Sequence, residues 1–252
     1  MFGAARILAF HQTSKKYYPG INNIKPGYFF VMLDVLRESG FSFWNGEEGD
    51  AVGDTALVLT FDDGYADNVE VLLRLREIHV TPIVFVPTDF IGKINSWEYS
   101  TRIFPARHMD KSQIRELREA GVLFGTHGKS HRALPLMKKE TLVDELRSSR
   151  SIIEDIAGRE CTLLSYPFGR HDRRVNLEAL EIGYKAGLAL DRPCRDSGET
   201  DDFVLFRKPV YSIDDYYSLR DKLLIDSGRD RRKNDIINTL AGGTIITGGR
   251  IK

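Results

Sequence analysis

The chain has 252 residues, and 36 Lys plus Arg balance 36 Asp plus Glu, so the formal net charge is zero. Hydrophobic residues make up 42% and charged residues 29%; that balance excludes disorder over most of the chain. With no excess of positive charge, nothing drives general binding to nucleic acid or to an acidic membrane surface. The two cysteines, Cys161 and Cys194, form neither a metal-type pair nor a disulfide framework. No apolar run approaches the ~18 residues of a membrane helix. The N-terminal stretch reaches polar His11-Gln12 too soon for the apolar core of a signal peptide, so a cytoplasmic location is the default expectation.

In chain order, residues 7–10 read as a first strand, and 28–39 carry helical spacing (Phe29, Met32, Leu33, Leu36) that ends at Gly40. A continuous apolar strand over 56–61 runs into Asp62-Asp63-Gly64, followed by a helix over 69–78 and a strand over 82–86. A helix over 112–120, with Asp110 or Ser112 as its cap, precedes a short strand over 122–125. A long helix over 139–157 stops at Gly158. Then come a strand over 163–166, a helix over 174–182 and strands over 188–190 and 203–206, with a last helix over 214–224. Strands separated by helices predict right-handed βαβ units and a parallel sheet. About seven such strands in one domain, over residues 1–225, predict an α/β barrel. Residues 95–108 lack periodicity and read as an inserted loop, and 226–252 as a polar tail.

Four segments carry chemistry. Thr60-Phe61-Asp62-Asp63-Gly64 puts two adjacent carboxylates at the end of a buried strand, which is costly without compensation. Side chains alternate along a strand, so both reach one centre only if the strand ends at or between them. The plain alternative is a capping pair before the next helix. His127-Gly128-Lys129-Ser130-His131 follows the strand over 122–125, and its two imidazoles can share one divalent cation or be unrelated. Together, one carboxylate and two histidines form a three-ligand site with room for water and substrate. Such open sites are catalytic; imidazole and carboxylate favour Zn²⁺, Co²⁺ or Ni²⁺ over Mg²⁺. The other carboxylate is then free to act as a base. Ser165-Tyr166-Pro167-Phe168-Gly169 shapes a tight loop whose backbone N–H groups can face a carbonyl oxygen. His11 ends the first strand. All four lie at C-terminal strand ends, the active face of such barrels.

This pattern resembles the polysaccharide deacetylases, the NodB-homology domains of carbohydrate esterase family 4, from about Arg6 to about Tyr217. Thr60–Gly64 is similar to the family's first motif, His127–His131 to its second and Tyr166-Pro167-Phe168-Gly169 to its third. The resemblance implies a distorted (β/α) barrel of about seven strands and a metal-dependent N-deacetylase acting on N-acetylated carbohydrate. It implies Asp62 as general base, Asp63, His127 and His131 as metal ligands, and the Phe168 N–H as an oxyanion donor, with Tyr166, Pro167 and Gly169 lining the substrate site. No histidine follows His171, so the family's C-terminal acidic histidine is missing. A permuted branch, similar to the deacetylases of bacterial poly-N-acetylglucosamine exopolysaccharides, carries it on the first strand, where Phe10-His11 stands; His11 is then the acid. An exopolysaccharide or cell-envelope role follows from the same resemblance.

Two departures bear on efficiency and substrate. Ser165 stands where the third motif often has an Arg, and Arg207 is the replacement candidate. Gly128 stands where the second motif often has Ser or Thr, and Ser130 offers the hydroxyl. His79, His108 and His171 are given no role; Trp44, Trp97 and Tyr99 stack on sugar rings or serve the core or surface. The alternatives are another non-peptide amide or a lipid-linked sugar as substrate, or a carbohydrate-binding domain without catalysis.

Overall fold

The computed structural model describes residue 2 and residues 5–47, 55–97, 103–190 and 202–224. The polar tail over 226–252, Cys194 and Tyr99 lie outside the described residues. The chain begins with β1 (Arg6–Phe10), followed by β2 (Gln12–Thr13) and β3 (Asn23–Ile24), α1 (Pro26–Glu38) and β4 (Ser42–Phe43). Regular alternation then sets in: β5 (Ala56–Phe61), α2 (Val69–Glu77), β6 (Ile83–Val86), α3 (Lys111–Glu119), β7 (Leu123–Thr126), α4 (Lys139–Ala157), β8 (Leu163–Ser165) and α5 (Arg173–Ile182). β9 (Ala186–Leu190), β10 (Val204–Pro209) and α6 (Tyr216–Leu224) complete the described chain.

Seven strands close into a parallel ring in the order β1-β10-β9-β8-β7-β6-β5, and β5 pairs back onto β1. β4 adds a short parallel segment at the start of β5. The molecule is therefore the expected α/β barrel. Strand alternation sorts its apolar side chains. Ile7, Val58, Ile83, Phe85, Leu163 and Leu188 come from five strands into one small cluster, which only the lumen of the ring can unite. The intervening residues, such as Leu8, Leu57, Leu59, Val84 and Leu164, join Phe29, Met32, Leu72 and Leu142 of the helices in a larger cluster. That cluster is the layer between strands and helices.

The helices follow from local rules. α1 starts on Pro26 and buries Phe29, Met32, Leu33 and Leu36 along one stripe. Asp110 caps α3 in a reciprocal box with Gln113. α4 stops at Gly158, which turns left-handed at φ 64°. The last strand runs three residues beyond its expected end and the last helix starts two later. No helix among the described residues is long and apolar enough to cross a membrane.

The described residues of the inserted segment are irregular, as the sequence implied, but they are tied down. Residue pairs Ile94–Arg107 and Tyr65–His108 form antiparallel bridges. Ala66 N–H donates to Arg107 at 2.8 Å and Met109 N–H to Gly64 at 2.8 Å. The insertion is thus laced to the turn that carries the two aspartates.

Candidate active site

β5 ends at Phe61, so the two carboxylates leave the strand in different directions. Asp63 takes a left-handed backbone at φ 67°, a conformation that costs a non-glycine residue about 1–3 kcal/mol and that the surroundings must hold. Its side chain turns to the loop after β7. There His131 Nε2 lies 3.2 Å and His127 Nε2 3.6 Å from Asp63 Oδ1. One ligand atom from each of the three residues lies within 4.8 Å of the others, and all three residues are buried. Ligands about 2.1 Å from a tetrahedral ion stand about 3.4 Å apart, so the trio is spaced for one cation.

The donor chemistry agrees. A carbonyl can only accept, so His127 Nδ1 donates to Ser165 O at 2.8 Å, leaving the Nε2 lone pair facing Asp63. Burial pushes the His127 imidazole down to about 4, against the pull of Asp62, which keeps it neutral and able to ligate. Asp63 Oδ1 is buried without a hydrogen-bond donor among the described residues. Burial alone would raise the Asp63 carboxyl, yet the facing imidazoles, His131 foremost, hold it well below the usual range. A buried, ionised oxygen between two imidazoles and lacking a donor fits a divalent cation.

Asp62 stays outside the trio. Arg207, fully buried within β10, meets it with both fork nitrogens: Nη1 to Oδ1 at 2.8 Å and Nη2 to Oδ2 at 2.8 Å. Thr60 Oγ1 at 3.0 Å and Ser165 Oγ at 2.7 Å take further guanidinium protons, and the cation lies over Phe85 at 5.4 Å. Burial would raise the Asp62 carboxyl; the Arg207 charge outweighs it and, with His127, holds the group below its ordinary value. The arrangement keeps a carboxylate ionised without making it a ligand. Arg207, the candidate replacement for the motif Arg, meets both Asp62 and the Ser165 hydroxyl, which accepts from it.

His11 leaves β1 half-buried beside these groups, near enough for its charge to lower both aspartates. Its carbonyl accepts from Asn68 Nδ2 at 2.8 Å, while Asn68 Oδ1 takes the Thr13 N–H at 2.6 Å. The loop between the imidazoles is fixed from behind by Glu145 of α4. This buried carboxylate accepts from the backbone N–H groups of Lys129 at 2.9 Å and Ser130 at 2.6 Å, and from the Ser130 hydroxyl. Gly128 is left-handed at φ 69°, and a Cβ there would press on Glu145 Oε1 at 3.0 Å, so a larger residue is strained at this position. Sequence reasoning missed Asn68 and Glu145: each works through partners far along the chain, and no local pattern marks them.

The third motif divides. Phe168 turns left-handed at φ 60° and sets its ring 4.9 Å from that of His131. Tyr166 does not line a substrate surface: its ring is wholly buried and its hydroxyl donates to Asn176 Oδ1 at 2.8 Å. Pro167 and Gly169 are buried as well. These three shape the turn from beneath, and only Phe168 reaches the site. Trp44 packs on Phe2 at a ring distance of 5.2 Å, near the start of β5 and the opposite end of the barrel. Trp97 instead stacks on His131 at 4.0 Å and 17°, and buried His108 lies beneath it at 5.0 Å. His79 closes α2 in an exposed left-handed position, and His171 stacks on Tyr166.

A profile of the family described as polysaccharide deacetylase matches residues 49–187, more than half of the chain. YxkH of Bacillus subtilis (strain 168), whose name assigns it provisionally to the same family, is 24% identical over 180 residues that span 68% of this chain. The chain spans 60% of that relative's length. Among solved structures, the Streptococcus pyogenes deacetylase PplD in complex with acetate superposes with a TM-score of 0.70 at 18% identity, over 87% of this chain and 97% of that one. IcaB from Ammonifex degensii gives 0.69 at 16% identity, over 87% and 96%. A de-N-acetylase from Aggregatibacter actinomycetemcomitans gives 0.67 at 16% identity, over 86% and 98%. At these identities the likeness is one of fold.

Proposed function

Because the chain belongs to the polysaccharide deacetylase family, we propose that it is a hydrolase that removes N-acetyl groups from amino sugars of a polysaccharide or glycoconjugate. The observation that carries the reading is the pair of aspartates with separate tasks. Asp63 joins two imidazoles in a cation-spaced trio, while Asp62 is kept ionised beside it by a bidentate arginine. A divalent cation on Asp63, His127 and His131, with Zn²⁺ favoured by the donor set and Co²⁺ or Ni²⁺ as substitutes, supplies Lewis acidity toward the acyl oxygen and acidity to water.

The chain's own groups then divide the proton work. Asp62 accepts the proton of the attacking water, and Arg207 orients its carboxylate through both oxygens. The water oxygen forms a bond to the acyl carbon. The Phe168 N–H, on its left-handed turn, is assigned to the oxyanion, where such a donor contributes about 3–4 kcal/mol in comparable sites. His11, protonated, hands its proton to the departing nitrogen as the C–N bond breaks. Acetate and a free amino sugar leave. Asn68 holds the His11 carbonyl and so fixes the acid relative to β5.

The test combines metal analysis with acetate release from N-acetylglucosamine oligomers of several lengths. Wild-type protein is expected to bind about one cation and release acetate, with chelation abolishing release and Zn²⁺ or Co²⁺ restoring it. Asp62→Asn and His11→Ala should keep the cation and lose turnover; His127→Ala should lose both. Oligosaccharide binding with neither metal nor release would make this a carbohydrate-binding domain instead. Near-normal turnover by Asp62→Asn would refute the base assignment.

A further inference from the structure

His108 is an unexpected occupant of its place. It lies in the insertion, is fully buried, and sits between the Tyr65 ring at 5.0 Å and the Trp97 ring at 5.0 Å. A residue that merely filled this aromatic slot would do so at less cost as Phe, because imidazole brings two polar nitrogens into an apolar setting. One of them, Nε2, is buried with no hydrogen-bond partner among the described residues. The other has a partner: Nδ1 lies 2.6 Å from the carbonyl oxygen of Asp63. A carbonyl can only accept, so Nδ1 carries the proton.

That carbonyl belongs to the residue whose backbone is left-handed. The same short stretch of the insertion also takes the next two anchor points. Met109 N–H binds Gly64 O and Arg107 O receives the Ala66 N–H, each at 2.8 Å. Three successive residues, Arg107 and His108 at the end of the insertion and Met109 just after it, thus grip the turn from 63 to 66, and the His108 bond acts on the ligand residue itself. On the far side, Trp97 of the same insertion lies flat on the His131 imidazole. Asp63 and His131 are the two proposed ligands with positive φ, 67° and 54°; these are the two the insertion touches.

We propose that His108 is a positioning residue for the metal centre: its Nδ1–H bond to the Asp63 carbonyl holds the left-handed turn that aims the Asp63 carboxylate at His127 and His131. The proposal rests on the reading of that trio as metal ligands. Removal of an outer-shell partner bonded to a ligating side chain weakens metal binding by about 10–100-fold; here the bond acts one step back, on the backbone of the ligand residue.

Two substitutions separate the hydrogen bond from the ring. His108→Phe keeps a ring stacked on Tyr65 and tilted against Trp97 and removes the donor. His108→Asn removes the ring and places an amide N–H near the position of Nδ1. Titration of the metal-free full chain with Co²⁺, followed by calorimetry and by the visible spectrum of the bound ion, reads the site without substrate. The expected result is Co²⁺ binding at least about tenfold weaker in His108→Phe, with binding by His108→Asn within a fewfold of wild type. Wild-type affinity in a folded His108→Phe overturns the proposal and leaves the metal site intact. If His108→Phe does not fold, His108→Asn decides: retained affinity supports the bond, and a tenfold loss overturns it. Failure of the wild type itself to bind Co²⁺ or Zn²⁺ would instead refute the trio as a metal site, and this role with it.

Discussion

Replacing Arg207 by Met tests the division of labour between the two aspartates. Met keeps an unbranched, flexible stem but lacks the guanidinium that lies over Phe85, and Asp62 loses both charge-assisted bonds, each 2.8 Å long. Breaking a buried pair by removing one partner costs about 3–5 kcal/mol, because the remaining charge is stranded. The protein can escape that cost only by protonating Asp62. The carboxyl is then free to climb, since burial already pushes it upward and Arg207 is the chief group opposing that push; at about 1.36 kcal/mol per pH unit, a cost of that size suffices to displace an acid limb by two pH units or more. The proposed base, which Arg207 holds ionised in the wild type, would then titrate at higher pH. The assay is kcat/KM against pH, alongside urea unfolding. The acid limb should move up by two units or more, with activity recovering toward alkaline pH, and stability at neutral pH should fall. The double variant Arg207→Met with Asp62→Asn removes both charges; it should regain most of the stability while staying inactive. An acid limb displaced by less than about one unit, with stability nearly unchanged, would show that the arginine does not govern the base.

Glu145→Ala leaves the Lys129 and Ser130 N–H groups without their buried acceptor; stability should fall by about 2–4 kcal/mol and the metal-binding isotherm should weaken, with the helical circular dichroism unchanged. In metal-free protein, His127 titrates at about 4 when folded against an ordinary 6.5, so the unfolded chain binds more protons between those values. Stability should therefore rise with pH across that window and be lost on acidification, by on the order of 3 kcal/mol from this group alone. Asp62, with its depressed pKa, adds a further loss in the same direction below the usual carboxylate range. Thermal unfolding of chelator-treated protein from pH 4 to 7 reads the slope, which His127→Gln should flatten; an unchanged slope would refute the assignment.

The parts of the molecule legible in sequence are those built from neighbours in the chain. The helix over 139–157 has the same limits in the structure, because its apolar stripe and its terminating Gly158 are both local. The strand expected at 188–190 in fact begins at Ala186, and it was hidden because Ala186-Gly187 does not read as strand. A Cβ at Gly187 would collide with the Tyr166 hydroxyl, so the glycine is a packing requirement set by a distant side chain. Likewise the charges of Arg207 and Lys208 disguise the end of the last strand, which runs on to Pro209; Arg207 belongs in a buried strand only because Asp62, Thr60 and Ser165 meet it there. At the site, the Asp-Asp and His-x-x-x-His spacings announced the trio. His108, Asn68 and Glu145 stayed silent because each acts on a backbone group reached only through the tertiary fold.

The closing pair of the ring has a temporal meaning. β1 leads directly into His11 and is clasped between β5 and β10, and β10 contributes the only cation bonded to Asp62 among the described residues. A chain emerging from the ribosome therefore exposes His11 and Asp62, the proposed acid and base, early, yet Asp62 lacks its arginine until the final strand has been synthesised and inserted beside the first. Pairings this remote form slowly. Nascent or clipped forms that lack β10 are thus expected to be inert, so enzymatic competence arrives together with topological completion.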